Sequence, residues 1–358
     1  MRPRYVIALV AFVILLGGST AIVLFTGHSS RPQSPPDLNV ERDPSVAPAP
    51  FTSRARAKLP PSDPRYAQAI DTAAGLGMRV WIDTDLVKYW ISGKSSWSSV
   101  VKRVATLAKH RGVAGIKIAD EVGYHDGLDT PAKINGFLTD AAKALRAAAP
   151  GKKIAIDMYL PELGCLPGST LNDPQQCTAN ARDRFPQLRL DQVDRYVASR
   201  TFDQIQLSSA LMDPRTYAGW DTSVDAAQQA AWTEIERRGW PKHVTVVARR
   251  GLAHPGRYSK SAAAAEQDTH VFVDVPRSLG DTQVDIWAWR QQYHGSVWRL
   301  MDPGMRPNPL WIALKARHDD GVPMYTHFTP SSVETDVAGD LRTVATVFTD
   351  VIIAAGTG

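Results

Sequence analysis

Most of the short signatures that announce common chemistries are missing from this chain. It has no Gly-x-Ser-x-Gly elbow, no His-Glu-x-x-His and no Walker loop, and its nine histidines show no metal-ligand spacing. No metal and no cofactor is expected. A dinucleotide fingerprint is also lacking: Gly75 and Gly77 precede a β-branched run instead of following one, and position 80 is Val. Cysteine is scarce, with only Cys165 and Cys177 in 358 residues. Excess charge is missing from most of the chain too. Residues 1–60 hold seven Lys/Arg against three acids, which leaves 34 Lys/Arg against 33 acids for the remainder. The overall net charge of +5 therefore belongs to the N-terminal end, and nucleic-acid binding by the globular part loses its support.

The N-terminal end is built differently from the rest. From Tyr5 to Phe25 there are 21 consecutive residues without a charge, and at about 1.5 Å per helical residue such a run matches a bilayer's hydrocarbon core of about 30 Å. Arg2 and Arg4 precede it and no Lys or Arg follows before Arg31, so the positive-inside tendency predicts a cytoplasmic tip and signal-anchor over residues 1–26, in contact with the lipid bilayer through residues 5–25. A cleaved signal peptide, with secretion, is the alternative. Residues 31–50 contain six prolines and little apolar periodicity, so 27–62 reads as a solvated stem. Beyond that stem Cys165 and Cys177 would meet an oxidising compartment, and a disulfide between them is expected, with two unpaired thiols as the alternative.

Between Pro64 and Asp320 short β-branched runs alternate with helix-period segments. Val100, Val101, Val104 and Leu107 share one helical face, as do Ile134, Phe137, Leu138, Ala141 and Leu145. Strands are predicted over 79–85, 115–121, 153–159, 202–209, 243–249 and 283–289; 271–275 and a segment near 297–300 would bring the number to eight. Strand and helix in alternation mean a parallel sheet, and the length suits a (β/α)₈ barrel over 63–320, with 321–358 as a tail. A doubly wound open sheet is the alternative.

Strand phase points to a site. One parity is apolar in each predicted strand, as in Val80 and Ile82 or Ile154, Ile156 and Met158. The other carries Trp81, Asp83 and Asp85; Lys117 and Glu121; Asp157 and Tyr159; Gln206; Arg249; and Asp285, Trp287 and Trp289. Because alternate residues face opposite sides and the helix-covered outside of a barrel is apolar, the polar set is predicted to point inward and gather at the mouth. A satisfied internal ion network is the competing reading. Asp120 and Glu121 are adjacent, and strand phase selects Glu121 as the inward one. Two carboxylates across a sugar bond, with flat aromatics to stack on the rings, are the working parts of most glycosidases. Glu121 is then the acid, with Asp157 or Asp285 as its partner; Asp83, Asp85, Trp81, Lys117, His125, Tyr159, Gln206, Arg249, Trp287 and Trp289 would bind substrate. Asp83-Thr84-Asp85 also resembles the metal-holding Asp-x-Asp of sugar-nucleotide transferases, a tripeptide common by chance.

At residues 115–127, 156–165 and 284–293 the sequence resembles secreted or membrane-anchored actinobacterial proteins, largely uncharacterised, that look like glycoside-hydrolase barrels. The likeness covers about residues 64–312. It implies an extracytoplasmic barrel acting on a polysaccharide or oligosaccharide. A non-catalytic carbohydrate-binding barrel is the alternative, and a structural envelope protein a third.

Overall fold

The computed structural model describes residues 64–354 apart from 282 and 294. The anchor expected over 5–25 and the stem over 27–62 lie outside the described residues. Among the described residues no helix is long and apolar enough to cross a membrane.

Ten strands follow in chain order: β1 Arg79–Asp83, β2 Val113–Lys117, β3 Lys153–Tyr159, β4 Gln204–Ser208, β5 Thr245–Gly251, β6 His254–Pro255, β7 Val284–Tyr293, β8 Ser296–Arg299, β9 Met324–Phe328 and β10 Asp350–Ala354. Eight of them, β1 to β5 with β7, β9 and β10, pair in parallel. Pairing of β5 with β7 closes the cylinder. The result is a (β/α)₈ barrel, as the strand and helix alternation predicts.

Two of the eight strands are not where the sequence pattern put them. Residues 271–275 run through a π-helical turn, His270–Asp274, into the helix Val275–Ser278, with Val271, Phe272 and Val273 buried. A continuous apolar run has no period of its own, and here it packs as helix. The segment near 297–300 is a strand, but it is antiparallel to β7 and forms a hairpin outside the closed cylinder. The missing staves are β9 and β10, so the barrel continues past residue 320 and the expected tail supplies its last two strands.

The outer parity behaves as predicted. Val80, Ile82, Ile116, Ile154, Ile156, Ile205, Leu207, Val246 and Ile286 are buried in one cluster with the apolar faces of the helices. The helix Pro131–Ala148 starts at Thr130, whose side chain accepts from the Lys133 N–H, with Pro131 in its first turn. It buries Ile134, Phe137, Leu138, Ala141 and Leu145 against the sheet, and each large side chain contributes about 1.5–3 kcal/mol. Inside the cylinder Trp81, Ala155, Val247, Tyr325 and Ile352 form a separate apolar floor. Gly115 makes room for it: a Cβ there would lie 2.3 Å from the Trp81 ring.

Candidate functional site

Above that floor the strand ends deliver charge. Asp83 ends β1, Lys117 ends β2, Asp157 lies late in β3, Arg249 in β5, Asp285 in β7 and His327 in β9. All six are on the inward parity, at the end where barrel active sites form. Lys117 Nζ lies 3.3 Å from Asp83 Oδ2 and 3.8 Å from Asp157 Oδ2, and it also pairs with Asp120. Arg249 pairs with Asp157, approaches Glu121 Oε1 at 3.7 Å through Nη1, and approaches Asp285 Oδ2 at 3.7 Å through Nε. His327 closes the ring, with Nε2 3.0 Å from Asp285 Oδ2 and Nδ1 3.9 Å from Asp83 Oδ2.

Burial makes these charges interact strongly. Lys117, Asp157 and Asp285 have no solvent exposure. Burial pushes the Asp83 carboxyl up to about 7, although Lys117 pulls the other way. Asp157 is pushed up to about 6 by burial, against the opposing pull of Arg249 and Lys117. Asp285 is held below the ordinary carboxylate range: burial would raise it, but His327 and Arg249 together outweigh that. Burial also works against the charged forms of Lys117 and Arg249, yet the surrounding carboxylates raise both above their usual values, so both remain cations. Two carboxyls thus exchange protons near neutrality beside two fixed positive charges.

Gln206 of β4 joins this layer, in register with Asp157 and without solvent exposure. Tyr159 is buried against Tyr124. Glu121 reaches the ring, but not as part of a strand. β2 stops at Lys117, and Glu121 has a left-handed backbone with φ 47°. This breaks the strand alternation that set Asp120 against Glu121. Asp120 pairs with Lys117 while Glu121 faces Arg249, so both neighbours serve the mouth.

Other expected site residues lie elsewhere. Asp85 is half exposed and paired with Lys88 at 3.2 Å. His125 is exposed and packs against Tyr124 and Phe185. Trp81 belongs to the floor, where its Nε1 donates to Asp350. Trp287 is buried against Tyr293 and Trp298 of the β7–β8 hairpin. The peptide bond between Trp287 and Ala288 is cis, and Trp289 beyond it packs against Trp311 and donates to Asp340. None of the three tryptophans offers a face to a sugar. His327 is the residue the sequence reading missed, because its strand was counted as tail. The Cys165–Cys177 disulfide is formed, with the Cα atoms 5.5 Å apart. Among the described residues no group of three or more His, Cys, Asp or Glu side chains is arranged to hold a metal ion.

No family model and no curated protein matches the chain. Among solved structures it is similar to the carboxyl transferase domain of Rhizobium etli pyruvate carboxylase with 3-bromopyruvate, at 13% identity over 81% of this chain and 43% of that one, with a TM-score of 0.42. It is also similar to a longer chain of Rhizobium etli pyruvate carboxylase with acetyl coenzyme-A, at 11% identity over 79% of this chain and 22% of that one, TM-score 0.39. A third is a provisionally assigned lyase/mutase of Burkholderia cenocepacia, at 14% identity over 81% and 83%, TM-score 0.41. The chain spans less than half the length of these pyruvate carboxylase chains.

Polysaccharide cleavage, with glycan binding as its alternative, is corrected by the geometry of the site. The site gives the physical reason. Asp157 and Asp285 are fully buried and committed to Arg249 and His327, Glu121 is nearly buried, and the aromatic platforms are packed into the core. A polymer needs an open groove with carboxylates on both sides of it, and these carboxylates are buried inside the cylinder.

Proposed function

We propose that this protein is a small-molecule enzyme whose reaction turns on proton transfer at the barrel mouth, working outside the cytoplasm. The observation that carries the reading is the convergence of Asp83, Lys117, Glu121, Asp157, Arg249, Asp285 and His327 from six different strands and one adjoining loop. General acid–base catalysis needs a group that both holds and releases a proton at the working pH, placed beside charges that stabilise the product of transfer. Asp83 and Asp157 have the first property, and Lys117 and Arg249 supply the second. The Cys165–Cys177 disulfide supports the compartment.

The test is untargeted mass spectrometry of a small-molecule extract incubated in D₂O with the purified chain, alongside Asp157→Asn and Lys117→Met. The expected result is conversion of, or deuterium entry into, at least one compound under about 1 kDa, reduced about 10²-fold or more in Asp157→Asn. An extract left unchanged by the intact protein would sink the proposal.

The competing reading is a purely structural ion network, favoured by the fact that each buried cation already touches several carboxylates. It predicts an unchanged extract and a large loss of stability in either variant.

A further inference from the structure

The mouth contains more carboxylates than cations. Asp83, Asp120, Glu121, Asp157 and Asp285 surround Lys117, Arg249 and His327. Even with a charged imidazole, two acids are left over. The polar atoms at the bottom of the mouth are also short of donors. Asp157 Oδ1, Asp285 Oδ1 and both amide atoms of Gln206 have no hydrogen-bond partner among the described residues, and all three side chains are fully buried. Buried groups of this kind are normally satisfied, so a set of them on the inward face of neighbouring strand ends lacks a partner.

We propose that the mouth accepts a small organic cation, an amine or amidine, whose nitrogen donates to Asp157 Oδ1 and Asp285 Oδ1 while its neutral polar end meets the Gln206 amide. This inference rests on the mouth being a small-molecule site. An ammonium group supplies donors and no acceptor, which matches two carboxylate oxygens lacking donors. An anion fits poorly, because Lys117 and Arg249 are both ringed by carboxylates already and a further negative charge would enlarge the excess. A bare metal ion fits poorly too, since no three ligand side chains among the described residues converge on one point. Entry would pass Asp120, whose side chain is 58% exposed and is the open edge of the ring. When no cation is bound, protons on Asp83 and Asp157 relieve the same excess, as their raised values of about 7 and about 6 indicate.

Thermal melting of the full chain at fixed ionic strength tests this, with methylammonium and 1,4-diaminobutane as cationic probes and acetate and pyruvate as anionic ones. The expected result is a saturable rise of about 2 °C or more with a cationic probe and none with the anions. Gln206→Leu should weaken the response to 1,4-diaminobutane about fivefold or more, and Asp157→Asn should abolish it. Gln206→Leu replaces no charge, so the test survives if Asp157→Asn fails to fold. A cationic response equal in all variants, or no response to either cation, overturns the inference. A saturable anionic response lost in Gln206→Leu also overturns it, while leaving the small-molecule mouth intact.

Discussion

The floor and the mouth of this barrel are built by the same strands in the same parity, often two residues apart, yet they handle carboxylates in opposite ways. On the floor Asp350 accepts from Trp81 Nε1 at 3.2 Å, from Arg79 Nη2 at 2.8 Å and from Thr349 Oγ1 at 2.8 Å. Tyr325 likewise donates to Gln283 and lies near Gln204, whose Oε1 is on that side while its Nε2 has no partner. One turn of the cylinder higher, Asp157, Gln206 and Asp285 keep oxygens or nitrogens without partners. A protein that satisfies a buried carboxylate at one end and leaves carboxylate oxygens open at the other fits a second end held ready for a ligand, at a cost in stability.

If the contrast is correct, substitutions at the two ends diverge. Trp81→Ala, on the floor, should cost about 3–5 kcal/mol in urea unfolding, because it empties the space that Gly115 leaves for the indole and strips Asp350 of a donor. Asp157→Asn, at the mouth, should lower turnover of whatever compound is converted by about 10²-fold, equivalent to about 2.7 kcal/mol of barrier, while costing far less stability than Trp81→Ala. If Asp157→Asn is the more destabilising of the two, the mouth is a scaffold and the contrast fails.

The pH dependence of stability sharpens the same point. Asp83 and Asp157 are raised in the folded protein, so the native state retains protons that the unfolded chain releases. Their stabilising contribution is complete below about pH 4 and is lost as pH rises through about 6 to 7. Asp285 acts oppositely, its contribution being present above the ordinary carboxylate range and lost as pH falls through its lowered value. Between pH 5 and 8 the melting temperature should therefore fall, and Asp83→Asn should flatten that fall by about 1 kcal/mol or more, which is about 2–4 °C. A slope unaltered in Asp83→Asn would mean that its proton is not held as described.

Much of this was legible in the sequence, and the failures have physical causes. Strand parity placed Asp83, Lys117, Asp157, Gln206, Arg249 and Asp285 inside the cylinder, because period-2 alternation is a local property and survives folding. It failed at Glu121, where a left-handed backbone after Lys117 replaces the strand, and at Trp289, which lies where the β7–β9 register shifts between Ile286 and Arg290. It also misjudged depth: Trp81 has the right parity but belongs to the floor, a distinction set by strand stagger around the barrel. His327 went unseen because the barrel was taken to end at residue 320, which left β9 in the expected tail. Chemistry was overdrawn from residue types: acids and tryptophans together suggested sugar, and only their burial shows otherwise.

The smallest effect tests the contrast most directly. Gln206→Leu keeps the side chain's approximate volume and removes two amide atoms that have no partner, whereas Tyr325→Phe on the floor removes a hydroxyl that is bonded. Removing a satisfied group leaves its partner stranded, so Tyr325→Phe should cost about 1 kcal/mol. Removing an unsatisfied one leaves nothing stranded, so Gln206→Leu should cost nothing and gain up to about 1 kcal/mol. Paired urea titrations on the two variants measure the difference in sign. Should both lose stability equally, Gln206 is already bonded in solution through ordered water, and the open polar atoms of the mouth are a hydration site before they are anything else.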